Sequence, residues 1–487
     1  MRTPAALATL YAGPMHAPPP PPTPPSQPPH APPPHAPLAP PRAAAAPGAT
    51  RGSAEPLLIV NGSLVDPESL SVVRADVAVA SGVIAAIGPR LDRSPAARLI
   101  DAEGLLVCPG LIDPHVHLRE PGHERAETIA SGAAAALAGG FTSVCCMPNT
   151  TPTLDSEAMV RYVGYRAAEA GAARVFAVGA LTVGRRGEEL ADIALMARAG
   201  AVAFSDDGDC LAWPAQMLRA LRAVRSTGRA LMQHCQEPTL TRGAVMHAGE
   251  VAARLDLTGW PGLAEELIIE RDIRLNRAVG CRYHAQHVSS AGSVELLRRA
   301  RAESLPVSGE ATPHHLLLTC DLVETSGYDA RYKVNPPIRE RADVDALLVG
   351  IADGSISVLA TDHAPHTPET KQTTFDAAAF GMIGLETALG LYARALIEPG
   401  VIAWPRLIRM LTLEPARLCG LDRLGLGQLR VGGPADVTLI DPAAQWTIAE
   451  TDLVGLSRNT PFLGWRCPAR PVATIVRGEL ASQRPRS

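Results

Sequence analysis

Eight short apolar runs, each closing on polar or charged residues, constrain this chain more than any other feature. They are "LLVCPGLIDPHVH", "FTSVCCMPN", "RVFAVGALT", "AVAFSDD", "ALMQHC", "YHAQHVS", "PVSGEATPHH" and "SVLATDHAPH". Helical stretches lie between them, among them "SGAAAALAGG", "AEELIIERDIRLNRAVG" from residue 264, and "SVELLRRARAE". Short apolar runs of this kind read as buried strands. Strands that alternate with helices read as a parallel α/β arrangement. An open, doubly wound sheet is the alternative, but no G-x-G-x-x-G follows the first strand, as a dinucleotide fold would require. Polar residues at the ends of many different strands favour a closed barrel, because a barrel brings those ends to one face. The expectation is a (β/α)8 TIM-type barrel over residues 106–424.

The flanks have a different texture. "LLIVNGSLVD" reads as a strand followed by a turn at Asn61-Gly62, and "ADVAVASGVIAAIG" as two strands about a turn at Ser81-Gly82. "ARLIDAEGLLVCPG" adds a further pair, and "GGPADVTLIDP" and "PVATIVRGEL" repeat the texture near the other end. Residues 54–105 plus 425–482 are therefore expected to form one small β-sandwich domain from both chain ends. Residues 1–53 hold 18 of the 45 prolines and, beyond Leu7, Leu10 and Leu38, almost no large aliphatics. Such a stretch cannot bury enough apolar surface to offset its ordering entropy. It reads as a disordered, polyproline-rich tail, for which a spacer or the product of a mis-assigned start that Met15 does not resolve is favoured over a partner-binding role.

Composition excludes some functions. Hydrophobic residues make up 46 %, enough for a large core, whereas charged residues are 19 % and the net charge is −4. That balance leaves no basic footprint for nucleic acid and no polybasic stretch for a membrane surface. No apolar run reaches the roughly 18 residues of a membrane span, and no secretory signal pattern opens the chain. The nine cysteines form no CxxC pair, so they read as small buried hydrophobes in a reducing cytoplasm.

The chemistry concentrates at the strand ends. His115 and His117 stand two apart on an extended segment, so both imidazoles share one face and can reach one ion. Neutral imidazole suits zinc. His234 and His287 close two later strands; alone, each would read as hydrogen-bonded scaffold, but a barrel converges them with the first pair. His284 precedes His287 by three and reads as structural. Asp362 ends another strand, where a carboxylate can both touch a metal and move a proton. Asp206 and Asp207 repel each other, so only one should enter the site.

In this order the motifs resemble the amidohydrolase superfamily, and in detail they are similar to bacterial class I dihydroorotases. The matching segments are "DPHVHLREPG", "GGFTSVCCMPNT", "AFSDDG", "QHC", "QHVSS", "KVNPPIR", "ATDHAPH", "FGMIGLETALG" and "SRNTPFLG", spread over about 56–482. The resemblance implies reversible, zinc-dependent hydrolysis of the cyclic amide of dihydroorotate to N-carbamoyl-aspartate, a step of pyrimidine biosynthesis. It implies that His115 and His117 hold the more buried of one or two zinc ions, that His234 and His287 hold the second, and that Asp362 is both ligand and general acid/base. It selects Asp207 over Asp206, at the place where many superfamily members carry a carboxylated lysine. That departure counts against the hydantoinase, dihydropyrimidinase and allantoinase alternatives. On the substrate side it implies Arg119 on the carboxylate, with Asn149 and His366 beside it and Asn335 on the ring. It makes neither His314 nor His315 a ligand. A homo-oligomer and an aspartate carbamoyltransferase partner are the implied assemblies. A non-catalytic subunit of that enzyme would have lost ligands that this chain keeps.

Overall fold

The computed structural model describes residues 55–93 and 95–485; the expected tail over 1–53 lies outside the described residues. The chain enters through β1 (Leu57–Asp66), β2 (Ser71–Ala80), β3 (Val83–Gly88), β4 (Arg98–Asp101) and β5 (Leu106–Pro109). Ser81 and Gly82 both take positive φ, +51° and +79°, which gives the hairpin turn a twist matching its strands. Asn61-Gly62 differs from the expected turn. The pairing of β1 with β2 slips there and then continues to Asp66, so the dipeptide is a bulge. The Asn61 amide, lost to the ladder, donates to Asp76 Oδ1 at 3.0 Å. A Cβ on Gly62 would lie 2.3 Å from the Val107 side chain, a close approach that only glycine permits.

"LLVCPGLIDPHVH" is two strands rather than one. β5 pairs antiparallel with a strand from the far end of the chain, and β6 (Leu111–Val116) begins the barrel. Gly110 is the joint: its amide donates to Asp436 O, and any Cβ would collide with Thr142 Oγ1 at 2.1 Å.

From β6 the chain alternates strand and helix through β7 (Phe141–Cys146), β8 (Arg174–Gly179), β9 (Ala203–Phe204) and β10 (Ala230–Gln233). After a small side pair, β11 (Met246–His247) with β12 (Gly259–Trp260), come β13 (Arg282–Ala285), β14 (Val307–Ala311) and β15 (Val358–Leu359). Apart from that side pair, each strand lies parallel to its predecessor in one eight-stranded sheet. A bridge between Val116 and His363, with the His117 amide donating to His363 O at 2.8 Å, joins the last strand to the first. The helices Ile129–Ala138, Leu263–Asn276 and Ala291–Ala302 cover the expected segments. The first is opened by a Thr128/Ser131 capping box.

Ile112, Cys145, Val178, Met232 and Val358 form an apolar cluster with Ala416, Leu418 and Cys419 of the helix Leu413–Cys419. This cluster fills the interior below the strand C-termini, so the polar ends are carried on a packed base. β16 (Val437–Thr447), β17 (Arg466–Val476) and β18 (Glu479–Gln483) then return to β5, giving a second sheet of order β18-β17-β16-β5-β1-β2-β3, with β4 on β1. It has its own core, including Ile59, Val77, Val107, Val437 and Ile475. All nine cysteines are free. Among the described residues no helix is long and apolar enough to cross a membrane.

Candidate metal centre

His115 lies on β6 and His117 just beyond it, while Asp207, His234, His287 and Asp362 follow β9, β10, β13 and β15. All six are buried. Two of them, His287 (φ +30°) and Asp362 (φ +48°), sit in the left-handed region, as does Arg119 (φ +60°). Each such residue costs about 1–3 kcal/mol, and the surrounding structure must enforce it. The adjacent carboxylates separate as charge repulsion requires. Asp206 turns back, accepting from the Leu181 and Thr182 amides at 2.8 and 3.0 Å and from Thr182 Oγ1 at 2.5 Å. Asp207 points inward.

Asp207 is the hub. Its Oδ1 lies 3.2 Å from His115 Nε2, 3.5 Å from His234 Nδ1 and 3.6 Å from His287 Nε2. Its Oδ2 is 3.4 Å from His117 Nε2. Asp362 Oδ1 stands 3.0 Å from His117 Nε2 and 3.5 Å from His115 Nε2. Two groups that could hold a metal ion result, His115–His117–Asp207 and Asp207–His234–His287, with Asp207 common to both.

The outer partners fix which imidazole nitrogen is bare. His115 Nδ1–H donates to Glu310 Oε1 (2.6 Å), His117 Nδ1–H to Asn149 Oδ1 (2.8 Å) and His234 Nε2–H to Gln236 Oε1 (2.9 Å). Three lone pairs are thereby aimed inward at carboxylate oxygens or, for His234 Nδ1, also at His287 Nε2 2.8 Å away. His115 Nε2 and Asp207 Oδ1 are buried with no hydrogen-bond partner although they are neighbours. A lone pair and a carboxylate oxygen that meet in this way are suited to binding a cation. The electrostatics agree. Burial alone would lower the His115 pKa, but Asp207 and Glu310 raise it well above the ordinary value, so positive charge is favoured at this point. Against burial, His115 and its neighbours hold Asp207 well below the usual carboxylate range, and His115 and His117 do the same for Asp362.

Glu310 escaped the sequence reading, hidden beside the more conspicuous His314 and His315. Burial opposes its ionisation, yet His115 and His284 hold it at about 2. His284, expected to be structural, is the far end of this chain, donating to Glu310 Oε2 at 2.9 Å while its other nitrogen meets Ser308 Oγ. Gln236 also went unnoticed. A strand-end carboxylate within the eight-run pattern was the available signal for Glu310. Partners of this kind orient a ligand and raise its basicity. Glu310→Gln is expected to weaken metal binding by about 10- to 100-fold, read by competition with a chromophoric chelator. Unchanged affinity would remove Glu310 from this role.

Beside the centre opens a cavity of about 540 Å3, lined by Arg119, Asn149, Pro365, His366, Thr370 and Ala379, among others. Arg119 Nε donates to Pro365 O at 3.0 Å, which orients the guanidinium. Burial lowers its pKa to about 10, so it remains charged. His366 Nε2–H donates to Phe380 O at 2.6 Å; burial and then Arg119 hold its pKa at about 3, so the ring is neutral. Asn335 is not on this wall. It donates through Nδ2 to Gln236 Oε1, and its Oδ1 is buried without a partner. His315 bonds Thr312 and Pro336 O, away from the ligand set.

Residues 104–293 match a family described as "Dihydro-orotase-like". The chain is 47 % identical over 407 residues to a dihydroorotase of Leifsonia xyli subsp. xyli, covering 83 % of this chain and 92 % of that protein. It is 45 % identical over 427 residues to a dihydroorotase of Pelotomaculum thermopropionicum, covering 88 % and 98 %. Among solved structures it resembles the L-hydantoinase (dihydropyrimidinase) of Arthrobacter aurescens, with a TM-score of 0.77, 25 % identity, and 88 % and 96 % of the two chains covered.

Proposed function

The chain belongs to the dihydroorotase family, and we propose from that premise how its own residues run the reversible hydrolysis of dihydroorotate to N-carbamoyl-aspartate. One observation carries the reading: bare imidazole nitrogens and two carboxylates converge beside a cavity that presents a buried, oriented guanidinium. The donor set of imidazole and carboxylate suits zinc. His115, His117 and Asp207 would hold one ion, and Asp207, His234 and His287 a second. Zinc there would supply Lewis acidity toward the ring carbonyl and acidify the attacking water.

The remaining roles fall to side chains. Arg119 offers the planar fork that pairs with the substrate carboxylate and sets the ring's orientation. Asn149 spends its carbonyl oxygen on His117, so its amide nitrogen is left for the substrate. His366, neutral and fixed by Phe380 O, shapes the same end. Asn335 offers its unpartnered oxygen to a ring N–H. Asp362 takes the proton of the attacking water and returns it to the departing ring nitrogen. In ring closure the same carboxylate moves the proton the other way, since both directions share one transition state. Residues 54–105 with 425–482 serve as a supporting domain to a barrel over 106–424. A homo-oligomer, and an association with aspartate carbamoyltransferase, complete the proposal.

The test is direct. The purified protein is expected to turn over dihydroorotate at least about 100-fold more efficiently than hydantoin, dihydrouracil or allantoin, because those rings leave Arg119 unpaired. Metal analysis should give one to two zinc ions per chain. A chelator should remove turnover, and zinc should restore it. Chelator-insensitive turnover, or preference for an uncharged ring, would overturn the reading. Activity without added carbamoyltransferase separates a free-standing enzyme from an obligate partner.

A further inference from the structure

We propose that Lys371 is a positioning residue for this reaction: it clasps the segment 372–381 that walls the substrate cavity, and Lys333 braces the same segment from beneath. The inference rests on the dihydroorotase reading only for which substrate fills the cavity. Lys371 ends the short helix Pro368–Lys371 and is buried. Its Nζ donates to Ala379 O at 2.8 Å and to Lys333 O at 3.3 Å. Lys333, also buried, donates from Nζ to Asp376 O at 2.8 Å and lies 4.4 Å from the centre of the Phe380 ring. The Gly381 amide closes the circuit on Lys333 O at 2.9 Å, and His366 grips Phe380 O. Every hydrogen-bond partner of the two ammonium groups is therefore a backbone carbonyl.

Such an arrangement is expensive, since a buried cation without a carboxylate gains little for its lost hydration. Burial, and then the charge of Lys333, bring the Lys371 pKa down to about 7. A surface lysine would have avoided this by turning outward. The reason to keep it lies in what the segment lacks. Ala379 and Thr370 line the substrate cavity on one side, and Thr373 to Asp376 line a second cavity of about 390 Å3 on the other. Phe375 and Phe380 are anchored in neighbouring apolar clusters, but Asp376 and Ala377 between them are exposed, so polar ties to the backbone set where that stretch stands. Ala379 and His366 face the site only while this wall is held.

The experiment compares Lys371→Met with Lys371→Arg and Lys371→Gln in the zinc-loaded full chain. Losing the hydrogen bond to Ala379 O in the wall, together with the tie to Lys333 O, should raise KM for dihydroorotate in the Met variant about tenfold, with kcat changed by less than about threefold. Metal content should stay at the wild-type value. Arg, which keeps charge and donors, should recover part of the loss, and Gln should fall between. Hydrogen exchange in peptides covering 372–381, read without substrate, should quicken in Lys371→Met while the barrel strands keep their protection. A Met variant with wild-type KM and wild-type exchange overturns the proposal. So does exchange that quickens across the whole barrel, which marks a merely structural lysine. If Met does not fold, the Gln variant carries the same two readouts. Because exchange needs no substrate, a wrong substrate assignment would leave that arm intact and disturb only the kinetics.

Discussion

Asp362→Asn is expected to lower dihydroorotate turnover by about 1,000-fold or more, while zinc content falls by less than half. General acid–base catalysis contributes about 100- to 10,000-fold, and the amide cannot accept the water proton. Asp362 is placed for the task because its Oδ1 stands 3.0 Å from His117 Nε2 and reaches the centre from a strand end held at φ +48°. Metal should survive, because neither of the two candidate groups of ligands needs this carboxylate. The two quantities, rate and metal per chain, must therefore separate. A variant that keeps near-normal turnover takes Asp362 out of proton transfer; one that loses metal and rate together makes it a ligand and leaves the proton unassigned.

Asp207→Ala should do the opposite, removing metal and turnover together. Its carboxylate belongs to both histidine groups, so its loss leaves each with two imidazoles. Metal is expected to fall below about one-tenth of an equivalent after dialysis, since two neutral nitrogens make a poor site for zinc. Its neighbour supplies the control. Asp206→Ala should leave the zinc in place but cost about 1–3 kcal/mol of stability, because the Leu181 and Thr182 amides and the Thr182 hydroxyl lose their acceptor. Metal loss from the Asp206 variant and retention in the Asp207 variant would reverse the assignment of the pair.

That pair also marks how far the sequence could be read. Repulsion required one aspartate to turn away, but which one depends on where the Leu181–Thr182 loop passes, a tertiary fact absent from the local sequence. The H-x-H pair was legible because strand periodicity alone puts both rings on one face. The barrel was legible because eight apolar runs ended in chemistry. Glu310 was not, since its function comes from His115 and His284 on other strands, and a lone glutamate near two histidines invites the wrong emphasis. Asn61-Gly62 misled for a different reason. The dipeptide carries a turn signal, yet Val107 packs so close to Gly62 that the same backbone freedom is used for a bulge. Gly110 likewise divides an unbroken apolar run between two sheets, and only the Thr142 side chain shows why.

The seam of the barrel has a consequence for how the protein is born. The cylinder closes where His117 N meets His363 O, and the side chains flanking that stitch, His117 and Asp362, are 245 residues apart. A nascent chain emerging from the ribosome thus lacks Asp362 until most of the cylinder has been synthesised. Both groups of donors that could hold zinc come from staves made earlier, so the proton carrier Asp362 is the last part of the centre to arrive, and catalytic competence waits on closure of the ring.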